Sequence, residues 1–97
     1  MSNKSNAESR ENLAQAQLDF FENELAFAET LSDVAKTRYS MGHTEGAERA
    51  KQEALTAIRT VRDFLEKTHL IARETISAFS KRCDEHELLV NSVRRTK

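Results

Sequence analysis

Two stretches of the chain set metal-ligand residue types at helical spacing. Glu66-Lys67-Thr68-His69 has the Glu-x-x-His spacing with which one helix of a di-metal carboxylate bundle presents two ligands, and Glu24 could add a carboxylate from a facing helix. Register argues against that use. If the chain reverses near residue 43, Glu24 falls opposite Arg62 rather than Glu66, and Glu66 points about 120–140° from the centre of its own apolar stripe. A Glu24–Arg62 ion pair at the core margin is therefore expected, and no metal. Cys83 and His86 stand at i and i+3, which supplies two ligands of a zinc site at most, and only if a second subunit brings the others. Cys83 continues the row of Ile76 and Val90 and reads as a buried, inert thiol. His43 falls in the turn as a surface or capping residue.

Nucleophilic catalysis needs an activated Ser or Cys with a base and an oxyanion hole, and the sequence has no glycine-rich elbow or phosphate-cradling loop. No catalytic, cofactor-binding or metal residue is assigned, and the chain is read as not an enzyme. The basic end Arg94-Arg95-Thr96-Lys97, with Lys81 and Arg82 before it, could touch phosphate. Lys and Arg at a helix C-terminus also complement the helix dipole, so nucleic-acid binding ranks second.

The elements that must position these residues are helices. Ninety-seven residues with no proline, two glycines and no tryptophan make one domain, 1–97, and leave too few breakers for the turns of a sheet. Strong helix formers dominate from Ala7 to Arg95, and no apolar alternation of period two appears. The single Cys83 excludes an internal disulfide and suits a reducing compartment. Met1 to Asn12 lacks an apolar export core, and no stretch approaches the roughly 20 apolar residues of a membrane span. A cytoplasmic protein with no membrane contact is expected.

Charge is unevenly spread. Residues 1–33 hold two basic and seven acidic side chains, a net −5, while 34–97 hold thirteen basic and nine acidic, a net +4. Such polarity favours antiparallel pairing of the two arms, or head-to-tail matching of subunits.

Ser5 and Glu8 have capping-box spacing, which predicts a frayed tail over 1–6 and a first helix over about 7–41. Two apolar rows with a step of seven run along that helix. Leu13, Phe20, Phe27, Val34 and Met41 form the first, and Ala14, Phe21, Ala28, Ala35 and Gly42 the second. Together with Leu18, Leu25 and Tyr39 they cover roughly 140° of the surface. A turn is expected at 42–46, with Gly42 at positive φ closing the first helix and Thr44 capping the next. The second helix, about 45–93, carries Ala47, Ala50, Ala54, Ile58, Val61, Leu65, Ala72, Ile76, Phe79, Cys83, Val90 and Val93 at steps of mostly three and four. Two places admit a break into a third helix: 67–70, where the apolar stripe thins, and 82–86, where Asp84-Glu85-His86-Glu87 offers another capping box.

From Leu31 to Ala54 the chain resembles one tetratricopeptide helix-turn-helix unit. Leu31, Val34, Ala35, Tyr39, Gly42, Ala47 and Ala54 fall at that family's large, aliphatic, small, aromatic, turn and small positions. Lys51 and Arg59 depart from the pattern, and it does not recur 34 residues on. The resemblance implies a hairpin and contacts to peptide or protein. In outline, a chain of this length with Ser40-Met41-Gly42 at the turn is also similar to helical-hairpin proteins of the WXG100 type, without their tryptophan.

The first helix has a stripe wider than one neighbour can cover, so it needs two. A homodimer of hairpins forming a four-helix bundle supplies them, and so does a folded-back third helix. The expectation is an all-α, non-enzymatic interaction module that dimerises and offers a remaining surface to a protein or peptide. Phe20, Phe27, Leu31, Ile58, Leu65 and Phe79 are its expected assembly residues, and no cofactor is expected.

Overall fold

A computed structural model describes the backbone of residues 2–94 and the side chains of Glu8 to Arg94. The fold is a helical hairpin with a third helix folded back on it: α1 (Ser2–Ser40), α2 (Thr44–Lys67) and α3 (Arg73–Ser92). α1 already includes residues 2–6, expected as a tail; Met1 and the side chain of Ser5, and with it the expected capping box, lie outside what is described.

The hairpin closes at Gly42, the only residue at positive φ among those described, with φ 79°. The Gly42 amide donates to the Tyr39 carbonyl at 3.0 Å and the His43 amide to the Arg38 carbonyl at 2.8 Å. These are the two bonds of a Schellman ending, which satisfy carbonyls that a helix end would leave bare. Thr44 is already helical and His43 takes the cap position with no side-chain cap bond, so the expected Thr44 cap is corrected. The backbone bonds around Gly42 place the reversal one residue earlier than a Thr44 cap needs.

The second helix expected over about 45–93 is interrupted: α2 ends at Lys67, at the first of the two places that admitted a break, and 82–86 is uninterrupted helix. No glycine or proline makes the break. Thr68 adopts an extended conformation, φ −71° and ψ 141°. Its hydroxyl accepts from the Leu70 amide at 3.3 Å and donates to the Gln17 side-chain oxygen at 2.5 Å. A threonine hydroxyl that offers the backbone a local alternative competes with the helix, and here the tie to α1 favours the turn. Leu70 and Ile71 then lie half-buried over the end of the hairpin.

The core changes character along its length. Near the turn, Ala47, Ala50 and Ala54 of α2 are buried together with Ala35 and Tyr39 of α1, small side chains that let the helices approach closely. Toward the open end Phe21, Leu25, Ile58, Val61 and Leu65 widen the space, and Phe79, Cys83 and Val90 of α3 fill it. Phe21 meets Phe79 with ring centres 5.3 Å apart, tilted by 64°, the edge-on geometry aromatic pairs favour.

Charged groups lock α3 in place. The Arg62 guanidinium of α2 reaches Asp84 at 2.7 Å and Glu87 at 2.5 Å, both on α3. The expected Glu24–Arg62 pair is thus corrected: a two-helix register did not contain α3, which supplies two carboxylates on the side toward which Arg62 points. Burial opposes the charge on Arg62, yet the hydrogen bonds to Glu87 and Asp84 outweigh it and raise its pKa. At the far end of α3, the Lys51 ammonium donates to the Val93 carbonyl at 2.7 Å, a cation set on the bare carbonyls of a helix C-terminus.

Candidate interaction surface

The six expected assembly residues divide into two groups. Leu31, Ile58, Leu65 and Phe79 are buried inside the three-helix core, 8%, 1%, 6% and 6% exposed, so they assemble this chain with itself rather than with another. Phe20 is half-buried and Phe27 is 49% exposed. Gly42 sits in the turn as expected.

The two rows of α1 have opposite fates. Phe21, Ala28 and Ala35 of the second row are fully buried. In the first row Leu13, Phe27 and Met41 are exposed, 56%, 49% and 62%, while Phe20 and Val34 are half-buried. The packing of α2 and the position of α3 together decide the split. α3 grips α1 through Glu22 and Glu29 and α2 through Arg62. Phe20, Phe27 and Phe64 each lie two residues from one of those anchors, hence about 160° around the helix from it. They point to the opposite side of the hairpin.

On that side α2 contributes its own row, Ala50, Ala57 and Phe64, again seven apart. Phe64 is 44% exposed and packs on Phe20 with ring centres 5.1 Å apart. Phe27 lies in an open groove between the helices, together with Ala57 and the threonines Thr56 and Thr60, bordered by Glu24, Glu53 and Arg49. A second depression, lined by Val34 and Met41 together with Asp33, Arg38 and His43, carries the strip on to the turn. The flank thus runs the length of the hairpin, its apolar side chains interleaved with charged ones of both signs. Phe64 was missed in the sequence because it lies off the stripe of Ile58, Val61 and Leu65; its spacing of seven from Ala57 was the available signal.

The thiol and imidazole of α3 are otherwise engaged. Cys83 is fully buried, and burial pushes its thiol pKa up from the ordinary value, away from the reactive thiolate. The His86 ring meets the Arg82 carbonyl through Nδ1 at 2.8 Å, and Nε2 lies 4.0 Å from Glu29. Among the described residues no group of three or more potential ligands could hold a metal ion. No helix among them is long and apolar enough to cross a membrane. Of the basic residues considered for phosphate, Arg82 is held by Glu22, Lys81 and Arg94 are exposed, and Arg95 and Lys97 lie outside the described residues.

Comparison with known protein families, with curated proteins and with solved structures finds no match for this chain.

Proposed function

We propose that the chain is a non-enzymatic helical interaction module that works through the open flank of its hairpin. One observation carries the reading: of two apolar rows on α1, Phe21, Ala28 and Ala35 of one are fully buried, while Leu13, Phe27 and Met41 of the other are left exposed. A single-chain fold gains nothing from Phe27, Leu13 and Met41 in water, whereas a protein surface laid on them removes three large side chains from solvent. Helix-on-helix docking suits the site, since residues seven apart along two neighbouring helices present a long shallow groove rather than an enclosed pocket. The nucleic-acid alternative has less support, because α3 interleaves its basic residues with Asp84, Glu85 and Glu87.

Photo-crosslinking in the source cell tests this. A photoreactive side chain at Thr60, beside Phe27, should capture a protein, a second copy of this chain included. The same group at Ser80, exposed on α3, should not. Capture at Ser80 and none at Thr60 would refute the assignment.

A further inference from the structure

The first row of α1 is apolar at every step of seven on both sides of Phe27: Leu13 and Phe20 before it, Val34 and Met41 after it. Its three most exposed members are the two ends and the centre. An antiparallel copy centred on Phe27 would set Leu13 on Met41, Phe20 on Val34, and Phe27 on itself. Each large side chain at Phe20 would then face a smaller one, as interdigitating helices require.

The length of α1 points the same way. The Thr68–Gln17 bond fixes the end of α2 at residue 17, so α1 continues upstream beyond the turn into α3. Leu13 lies on that extension, which α2 does not reach, while Met41 lies at the opposite end of the hairpin. In the antiparallel arrangement the extension of each chain covers the turn end of the other.

Charge sets the direction. From residue 8 to 33 α1 carries Arg10 against seven carboxylates, and from 34 to 40 it carries only Lys36 and Arg38. Parallel copies would align all seven carboxylates side by side; antiparallel copies keep Glu22, Glu24, Glu29 and Asp33 in the central overlap but bring Asp19 of each toward Lys36 and Arg38 of the other. The strip is also long: Leu13 to Met41 spans about 42 Å of helix axis, so two antiparallel copies centred on Phe27 overlap along the whole row.

We infer that the occupant of the open flank is a second copy of this chain, docked antiparallel about a two-fold axis at Phe27. This rests on the interaction reading above and narrows it to one partner and one orientation.

Cysteine cross-linking of the full chain tests it, with Cys83 left in place because it is buried. Across a two-fold axis at Phe27, Cys at 13 faces Cys at 41 of the other copy, within reach of a disulfide between closely packed helices. Under mild oxidation an equimolar mixture of Leu13→Cys and Met41→Cys chains should give roughly tenfold or more covalent dimer than either variant alone, since pairing raises the effective thiol concentration. Adding Phe27→Asp to both chains should abolish the excess. Homodimers of Leu13→Cys alone would overturn the orientation in favour of a parallel pair. No cross-link in any combination, with the chain a folded monomer at 100 µM (on the order of typical homodimer test concentrations), would overturn self-docking. The interaction reading would then stand or fall separately, on whether Thr60 captures a different protein in the cell.

Discussion

Arg82 of α3 grips Glu22 of α1 through two hydrogen bonds, 2.6 and 2.9 Å, while its guanidinium lies 5.0 Å from the centre of the Phe79 ring. The one side chain therefore ties the third helix to the first at the surface and covers an aromatic core residue from outside. A bidentate pair resting on an aromatic face is where arginine and lysine differ most.

The pair makes stability depend on acid. The hydrogen bond from Arg82 lowers the Glu22 pKa below its ordinary value, and burial opposes this only in part. A depressed carboxylate contributes above its unfolded pKa, about 4.3 for glutamate, and the contribution is lost as pH falls through the folded value. Glu22→Gln should cost about 0.5–1 kcal/mol at pH 7, because both partners are partly solvated, and close to nothing at a pH acidic enough to protonate Glu22 in the folded chain. Urea denaturation at the two pH values checks this; an equal cost at both would remove Glu22 as the titrating partner.

The two glycines should respond oppositely to alanine. Gly42 has φ 79°, so Gly42→Ala forces a β-carbon into the left-handed region at about 1 kcal/mol or more, a loss of roughly 4–8 °C in midpoint for a chain of this size. Gly46 is helical, and a β-carbon there would meet only the Arg38 side chain, at 3.2 Å. Arg38 is exposed but its guanidinium donates to the Gly46 carbonyl at 3.0 Å, so Gly46→Ala should gain up to about 1 kcal/mol from helix propensity, less the cost of shifting that bond. Thermal melts of the two variants beside the parent give the signs directly.

Thr68→Val keeps the shape of the side chain and removes the hydroxyl that holds the α2–α3 turn. A loss of about 1 kcal/mol is expected from the bonds to Gln17 and Leu70. If the variant is as stable as the parent in urea, the turn is held by Leu70 and Ile71 packing instead.

Much of this architecture is legible in residue spacing, and what escaped has identifiable causes. Gly42 is a local signal, since positive φ is a property of one residue, and the turn could be placed from it. The break at Thr68 could be narrowed to two places but not decided, because no residue there forbids helix; the hydroxyl bond to Gln17, 51 residues away in sequence, settles it. Leu13, Phe20 and Phe27 look as fit for the core as Phe21 and Ala28, because hydrophobicity and period are the same in both rows. The packing of α2 and the placement of α3, through Arg82 on Glu22 and Arg62 on Asp84 and Glu87, together select which row is buried. The same missing helix misled the Glu24–Arg62 pairing.

Neighbouring phenylalanines should therefore differ sharply as contributors to folding. Phe21→Ala removes a fully buried ring and should cost about 3–5 kcal/mol. Phe27→Ala removes a ring already half in water and should cost less than about 1.5 kcal/mol of monomer stability. Denaturation at concentrations low enough to dissociate any dimer separates folding from association.

The central claim is that Phe27, with Leu13 and Met41, serves association while Phe21, with Ala28 and Ala35, serves folding. Sedimentation equilibrium of the parent and Phe27→Asp, with helix content confirmed by circular dichroism, tests it most directly. The account predicts a parent heavier than the 11.1 kDa single chain and a Phe27→Asp variant that is equally helical but sediments as that single chain. A parent that remains a single chain at every concentration, or a variant as heavy as the parent, would contradict it.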